Sequence, residues 1–256
     1  MRKGISTLAL LTISMLAVVR MALAQDPSIA RLVHFSAPPA SRVQIEDAIK
    51  KQMDWRREQG DSWRWLTWEY ASGEVPRYCV ATFGHDWADF DAMPLAGRAE
   101  EAGGGLASTL SALPPVVQYF EHLAEVSDYG SPTNTPTVAE ISLYQLHYGK
   151  QAQFYAALRE FHAALSRVGG VNRYEWFELR SGGETPQFLL LLPRANWAAF
   201  DVRTDALRDA LEQALGKRKA ARVFEQFTAA VRLHVRCAVR LRPDLSLLPA
   251  AGDSRP

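Results

Sequence analysis

The sequence of 256 residues holds only two cysteines, Cys79 and Cys237. Neither belongs to a CxxC pair, which excludes a thiolate zinc site and a dense disulfide framework. A single bridge between them stays open beside two buried thiols, because each lies in an apolar, strand-like run. Charge of one sign is also lacking, with 29 Lys and Arg against 28 Asp and Glu and a formal charge of +1. That balance gives no electrostatic case for nucleic acid as a partner. The GxSxG, Walker, GxGxxG and HExxH signatures are absent, and no His/Cys cluster has metal-ligand spacing, so no metal site is expected. Beyond residue 24 no apolar run approaches the roughly 20 residues that cross a bilayer.

What is present describes a folded, exported chain. Hydrophobic residues make up 48%, charged residues 22% and aromatic residues 10%, which is the balance of globular protein. At the start, Arg2 and Lys3 precede the apolar run Ile5 to Val19, and Ala22-Leu23-Ala24 offers small residues at a cleavage site. Residues 1–24 therefore read as a signal peptide, and the run is too short for an anchor. Its removal takes three basic residues and no acid, so the formal charge falls from +1 to −2. The expected address is periplasmic or secreted, with no integral membrane segment after cleavage.

The mature chain repeats itself. Arg64 to Gly73 aligns with Arg173 to Gly182 without a gap, and after one extra residue, Gly183, Glu74 to Asp91 aligns with Glu184 to Asp201. Ten of these 28 pairs are identical, among them Glu69/Glu178, Pro76/Pro186 and Trp87/Trp197. Each copy opens with a β-prone run, Leu32 to Ser36 or Ile141 to Tyr148. A helix follows, with Ile45, Ile49 and Met53 in the first copy and Phe154, Leu158, Phe161 and Leu165 in the second. Gly60 and Gly169-Gly170 end these helices. Two strands joined by a Ser-Gly turn come next, Trp63 to Ala71 with Arg77 to Phe83, and Arg173 to Arg180 with Gln187 to Leu192. Asp86 and Asn196 stand where a helix N-cap belongs. Closing strands fall at Val117 to Ser127 and Val231 to Leu241. The order is βαββαβ, twice.

The expected organisation is a signal peptide at 1–24, a first ferredoxin-like repeat at 25–127 and a linker at 128–137. A second repeat spans 138–246, and a disordered tail covers 247–256. A βαββαβ unit forms a four-stranded antiparallel sheet with both helices on one face, and two units can join their bare faces as a barrel. The predicted class is thus α+β, two tandem ferredoxin-like repeats packed sheet to sheet as an intramolecular α+β barrel. This pattern resembles the dimeric α+β barrel superfamily. Within it, Ile141 to Leu158 is similar to the strand–Gly–Lys–helix opening of NIPSNAP and antibiotic-biosynthesis-monooxygenase-like proteins, with Tyr148 in place of the usual Pro. The resemblance implies cofactor-free oxygenation, haem chemistry or simple binding, so haem is a possible cofactor.

Candidate site residues follow from strand faces. Allowing a longer turn, Val33-His34-Phe35 aligns with Leu146-His147-Tyr148, which makes His34 and His147 candidate catalytic groups, as general bases or haem ligands. Trp65 and Glu69 share one strand face, as do Trp176 and Glu178, and could line a pocket for a planar ligand. Arg236 lies on a basic face with Arg232, His234, Arg240 and Arg242, and Glu121 and Glu125 stand at the equivalent places of the first copy. Those unlike charges would let the halves pair asymmetrically. The function expected is binding of a small apolar or planar molecule. The alternatives are a monooxygenase-like or haem-handling enzyme using the histidines, and a protein–protein interaction module. Oligomeric state is left open.

Overall fold

The protein is described here by a computed structural model covering residues 28–36, 38–73, 75, 77–91, 115–128, 136–168, 173–201 and 205–248. The expected signal peptide, most of the linker, Gly169-Gly170 and the chain from 249 lie outside the described residues. In chain order the elements are β1 (Ile29–Ser36), α1 (Arg42–Glu58), β2 (Leu66–Tyr70), β3 (Arg77–His85), α2 (Trp87–Asp91) and β4 (Val116–His122). Then come β5 (Val138–Leu146), α3 (Gln151–Val168), β6 (Glu175–Ser181), β7 (Gln187–Arg194), α4 (Asp205–Leu215), α5 (Lys217–Ala230) and β8 (Val231–Leu241).

The eight strands close into one antiparallel barrel in the order β1-β3-β2-β8-β5-β7-β6-β4. Closure comes from two junctions between the halves of the chain. At one, Trp68, Glu69 and Tyr70 of β2 face Leu241, Arg240 and Val239 of β8. At the other, Phe120, Glu121 and His122 of β4 face Leu179, Glu178 and Phe177 of β6. The order β4-β1-β3-β2 in the first half recurs as β8-β5-β7-β6 in the second. At β6's end the chain turns at Gly182, where φ is +91° and an added Cβ would lie 2.0 Å from the Val117 carbonyl oxygen. Only glycine tolerates both that backbone and that approach.

Three apolar cores result. Inside the barrel, Leu32, Trp68, Ala81, Phe120, Phe177 and Leu189 meet from six strands, as expected for an eight-stranded barrel just wide enough to be filled by side chains. Outside the first half, α1 buries Ile45, Ile49 and Met53, one turn apart, over Val33, Phe35, Tyr78 and Val80. It ends at Gly60, whose φ is +69°. Outside the second half, α3 and α5 cover Tyr144, Trp176 and Phe188 with Phe154, Phe161 and Phe227. Full burial of a side chain such as Phe154 contributes about 1.5–3 kcal/mol.

Several expected boundaries move. The closing strand of the first half stops at His122 and gives way to a 3-10 turn at Ala124–Val126, so Val117 to Ser127 is too long. The opening strand of the second half runs from Val138 to Leu146 rather than Ile141 to Tyr148. Asp86 and Asn196 do cap the following turns through their side-chain oxygens, accepting from Asp89 N–H at 3.0 Å and Ala199 N–H at 3.2 Å. The second of these turns is a 3-10 helix at Trp197–Asp201, with α4 starting only at Asp205. Leu247, placed in the tail by sequence, bridges to Trp65 and is buried.

Candidate functional site

Because most strands are buried on both sides, β8 being the exception, the decisive question for each side chain is whether it faces into the barrel or outward. Alternation settles it once one residue per strand is placed. Even-numbered residues of β1 and β2 (Ala30, Leu32, His34; Leu66, Trp68, Tyr70) and odd-numbered residues of β3 and β8 (Cys79, Ala81; Cys237, Val239) face in. Glu69, Trp65, Trp176 and Glu178 have the opposite parity.

Four of the five expected ligand-lining residues therefore sit on the outer face, under or beside the helices. Trp65 is fully buried beneath α1, with the Arg56 guanidinium 4.0 Å from its ring centroid and its indole N–H donating to Asp61 at 3.0 Å. Trp176 packs between Tyr144 and Phe154 in the helix-covered core. Glu69 accepts from Arg42 at 2.6 Å, Arg240 at 2.7 Å and Arg242 at 3.1 Å. Burial pushes the Glu69 carboxyl up, but the hydrogen bonds from Arg240 and Arg242 outweigh it and hold it below its usual value. Glu178 accepts from the Tyr155 hydroxyl and from Arg180, each at 3.0 Å. Arg236, the fifth, points outward as well and pairs with Glu140 at 3.0 Å. None of the five lines the interior.

The expected asymmetric pairing of halves through Glu121 and Glu125 against Arg236 and Arg240 also falls. β8 lies between β2 and β5, and β4 between β1 and β6, so those faces never meet. Instead Arg240 and Arg242 of the second half clasp Glu69 and Glu46 of the first, with the Tyr78 hydroxyl also donating to Glu46. Charge does join the halves, at the β2–β8 junction.

The histidine pair separates. Phe35 faces Tyr78 across β1–β3, and Tyr144 faces Phe188 across β5–β7. Tyr78 and Phe188 are themselves aligned in the repeat, so His34 corresponds to Leu143. His147 follows β5 in an exposed turn, where its backbone N–H donates to the Ala230 carbonyl at 2.9 Å. The two histidines share no position.

His34 does face the interior, near one end of the barrel. It is buried, with Nδ1 at 3.5 Å from the Tyr70 hydroxyl. Burial, and then the charge of Arg77, lower its pKa to about 4 against an opposing hydrogen bond with Gln118. The imidazole is neutral at pH 7. Arg77 lies beside it with its guanidinium 4.7 Å from the Tyr70 ring centroid. The same charge acts on the Cys79 thiol, which burial pushes up to about 12, and on the Cys237 thiol, which burial also raises. Both thiols are unbonded. They stand on strands separated by β2, and two strand spacings, roughly 9.5 Å, exceed the reach of a disulfide.

Below this polar layer lies a cavity of about 30 Å³, lined by Leu32, Trp68, Ala81, Phe120, Phe177 and Leu191 among others, all apolar apart from the Cys79 thiol and the Trp68 indole. Such a space holds one small apolar group and stays dry for want of polar partners. Reading the residues alone missed Arg77, Tyr70 and Gln118. The alternation Arg77-x-Cys79-x-Ala81 carried the signal, since it puts an arginine in line with two small interior positions.

No family model matches the sequence, and no curated protein matches it. Among solved structures, one of an anthrone oxidase-like protein covers 89% of this chain and 98% of its own, with a TM-score of 0.52 at 14% identity. A protein from Lactobacillus acidophilus proposed to be a monooxygenase has a TM-score of 0.53 at 10% identity over 86% of this chain and 96% of its own. A chlorite dismutase variant from Candidatus Nitrospira defluvii has a TM-score of 0.50 at 10% identity, covering 87% and 94%. The eight-stranded α+β barrel is a fold this chain shares with these structures. At these identities the likeness is one of fold, and the chemistry has to be argued from this chain's own barrel.

Proposed function

We propose that the protein is an exported barrel that binds a small, largely apolar molecule in its interior. The observation that carries this reading is the apolar cavity of about 30 Å³ inside the barrel. The reading includes the removal of residues 1–24, and an origin by duplication of one ferredoxin-like βαββαβ unit, at about 25–127 and 138–246. Kinship with NIPSNAP-like proteins through the Gly149-Lys150 opening belongs to the same proposal.

Haem, raised by the superfamily resemblance, does not fit. A macrocycle needs a pocket in the range of roughly 300–1,000 Å³, an order of magnitude above the interior cavity. The inward histidine, His34, is packed against Tyr70 and Gln118, and His147 lies in a surface turn. No step is therefore routed through haem. A second reading, cofactor-free oxygenation, is favoured by one observation, the neutral His34 imidazole inside the barrel. It could accept a hydrogen bond from a bound substrate and so orient it, its lowered pKa making it a weak base. The anthrone oxidase-like neighbour is in keeping with that reading.

Xenon-129 NMR of the mature protein tests the cavity. A saturable bound-xenon signal is expected, weakened or lost in Ala81→Val, whose thermal unfolding is followed alongside to confirm that the variant is folded. Absence of a saturable signal in the native protein, or a signal indifferent to a folded Ala81→Val variant, would overturn the reading.

A further inference from the structure

The end of the barrel that carries His34 has an unusual rim. The register pairs Val116 with His34 and Leu233 with Gln145, and it pairs Val235 with Leu143, which packs against the interior core. Side chains opposite one another across an antiparallel pair share a face. Val116, Leu233 and Val235 therefore point to the barrel's inner side, yet they are 53%, 51% and 42% exposed. They are exposed because the wall is low on one side. β2 pairs with β8 only from Val239 to Leu241, and β8 continues to Val231 beyond it. The result is an apolar lip above the interior.

Within this lip stands a cation, Arg77. Arg77 is partly buried, its Nε is enclosed with no hydrogen-bond partner, and among the described residues no carboxylate pairs with it. The groups around it are the Tyr70 ring, the neutral His34 and the two thiols, and among the described residues no acid acts on any of these four. Several other arginines are paired, although Arg194 also has enclosed nitrogens without a partner. Arg42, Arg56, Arg180, Arg236, Arg240 and Arg242 each hold a carboxylate within 3.0 Å. A partly buried guanidinium left unpaired is costly, and its planar fork matches a carboxylate. Arg77 is four residues from Ala81 on β3, so the guanidinium layer and the dry cavity lie on one inner strand face, roughly 13 Å apart at their Cα atoms.

We propose that this mouth binds amphiphiles with an anionic head and a short apolar tail. Arg77 takes the carboxylate, and the Tyr70 hydroxyl lies beside it as a neutral donor. The chain lies under the apolar lip of Val116, Leu233 and Val235, and only the end of the tail reaches past Cys79 towards the cavity. The inference rests on the binding reading above and adds the charge of the ligand to it.

Isothermal titration with octanoate, octanol and octylamine tests the head group. Octanoate is expected to bind at least tenfold tighter than octanol, with octylamine weakest. In Arg77→Gln octanoate is expected to fall to the level of octanol, and Arg77→Lys is expected to restore part of the preference. Thermal unfolding of both variants, followed alongside, reports that they are folded. Equal affinity for octanoate and octanol in the native protein, or a preference that survives Arg77→Gln, would overturn the inference while leaving the cavity reading intact. Failure of all three probes together with absence of bound xenon would overturn both.

Discussion

Protonation of His34 is the perturbation whose size follows most directly from the fold. The imidazole pKa falls from an ordinary 6.5 to about 4 because the ring is enclosed and faces Arg77. A group with a depressed basic pKa binds its proton more readily in the unfolded chain, so acid favours unfolding. The stabilising contribution is whole above about pH 6.5 and is lost as pH falls from there to about 4. At about 1.36 kcal/mol per pKa unit, the full effect is about 3 kcal/mol, and about 2.5 kcal/mol of it is gone at pH 4.5. The assay is urea unfolding of the native protein and of His34→Gln at pH 7.5 and pH 4.5. His85, His122 and His234 are also lowered by burial, so the native protein will lose more than His34 alone accounts for. The difference between the two proteins isolates His34. The variant should be less stable at pH 7.5 and should close the gap by about 2.5 kcal/mol at pH 4.5. Parallel losses in both proteins would show that His34 is not the enclosed, neutral group described here.

Three other outcomes are expected. Gly182→Ala should cost well over 2 kcal/mol by urea unfolding, because the new methyl meets the Val117 carbonyl and the backbone φ is positive. Gly84→Ala, with positive φ but open space around it, should cost only about 1 kcal/mol. Arg242→Ala should destabilise by about 1–3 kcal/mol, because Glu69 and Glu46 lose a shared partner at the junction of the halves while Arg42 and Arg240 remain. Under non-reducing conditions a thiol reagent should find two thiols after unfolding. In the folded protein Cys237 should react first and the fully buried Cys79 should resist.

Much of the architecture was legible because it is written twice. The aligned pairs Glu69/Glu178 and Tyr78/Phe188 occupy matching ladder positions, Glu69 opposite Tyr78 and Glu178 opposite Phe188. The same offset carried one strand back would have matched His34 with Leu143, since 109 residues separate them as they separate Arg64 from Arg173. Inserting a gap to match histidine with histidine broke that register.

The site was less legible, for a physical reason. A strand with water on one side declares its inner face by alternation, but β2 and most of β6 are covered by neighbours on both sides. Trp65 and Trp68 have opposite parity and both are buried, so hydropathy cannot say which looks into the barrel. Choosing Trp65, Glu69, Trp176 and Glu178 selected the helix-covered face. The charges there neutralise one another across the β2–β8 and β4–β6 junctions. Arg77 drew no attention because an arginine beginning a strand ordinarily reaches water. Its place on the inner face depends on parity alone.

The central claim is that the barrel's interior, entered past Arg77, is where a ligand sits. A crystal structure of the mature protein soaked with 8-bromooctanoate tests it most directly through the anomalous signal of bromine. The account predicts a bromine peak inside the barrel among Trp68, Phe120 and Phe177, with the carboxylate at Arg77. Bromine confined to the helix-covered face near Trp176 and Phe227, or found only on the outer surface, would contradict it.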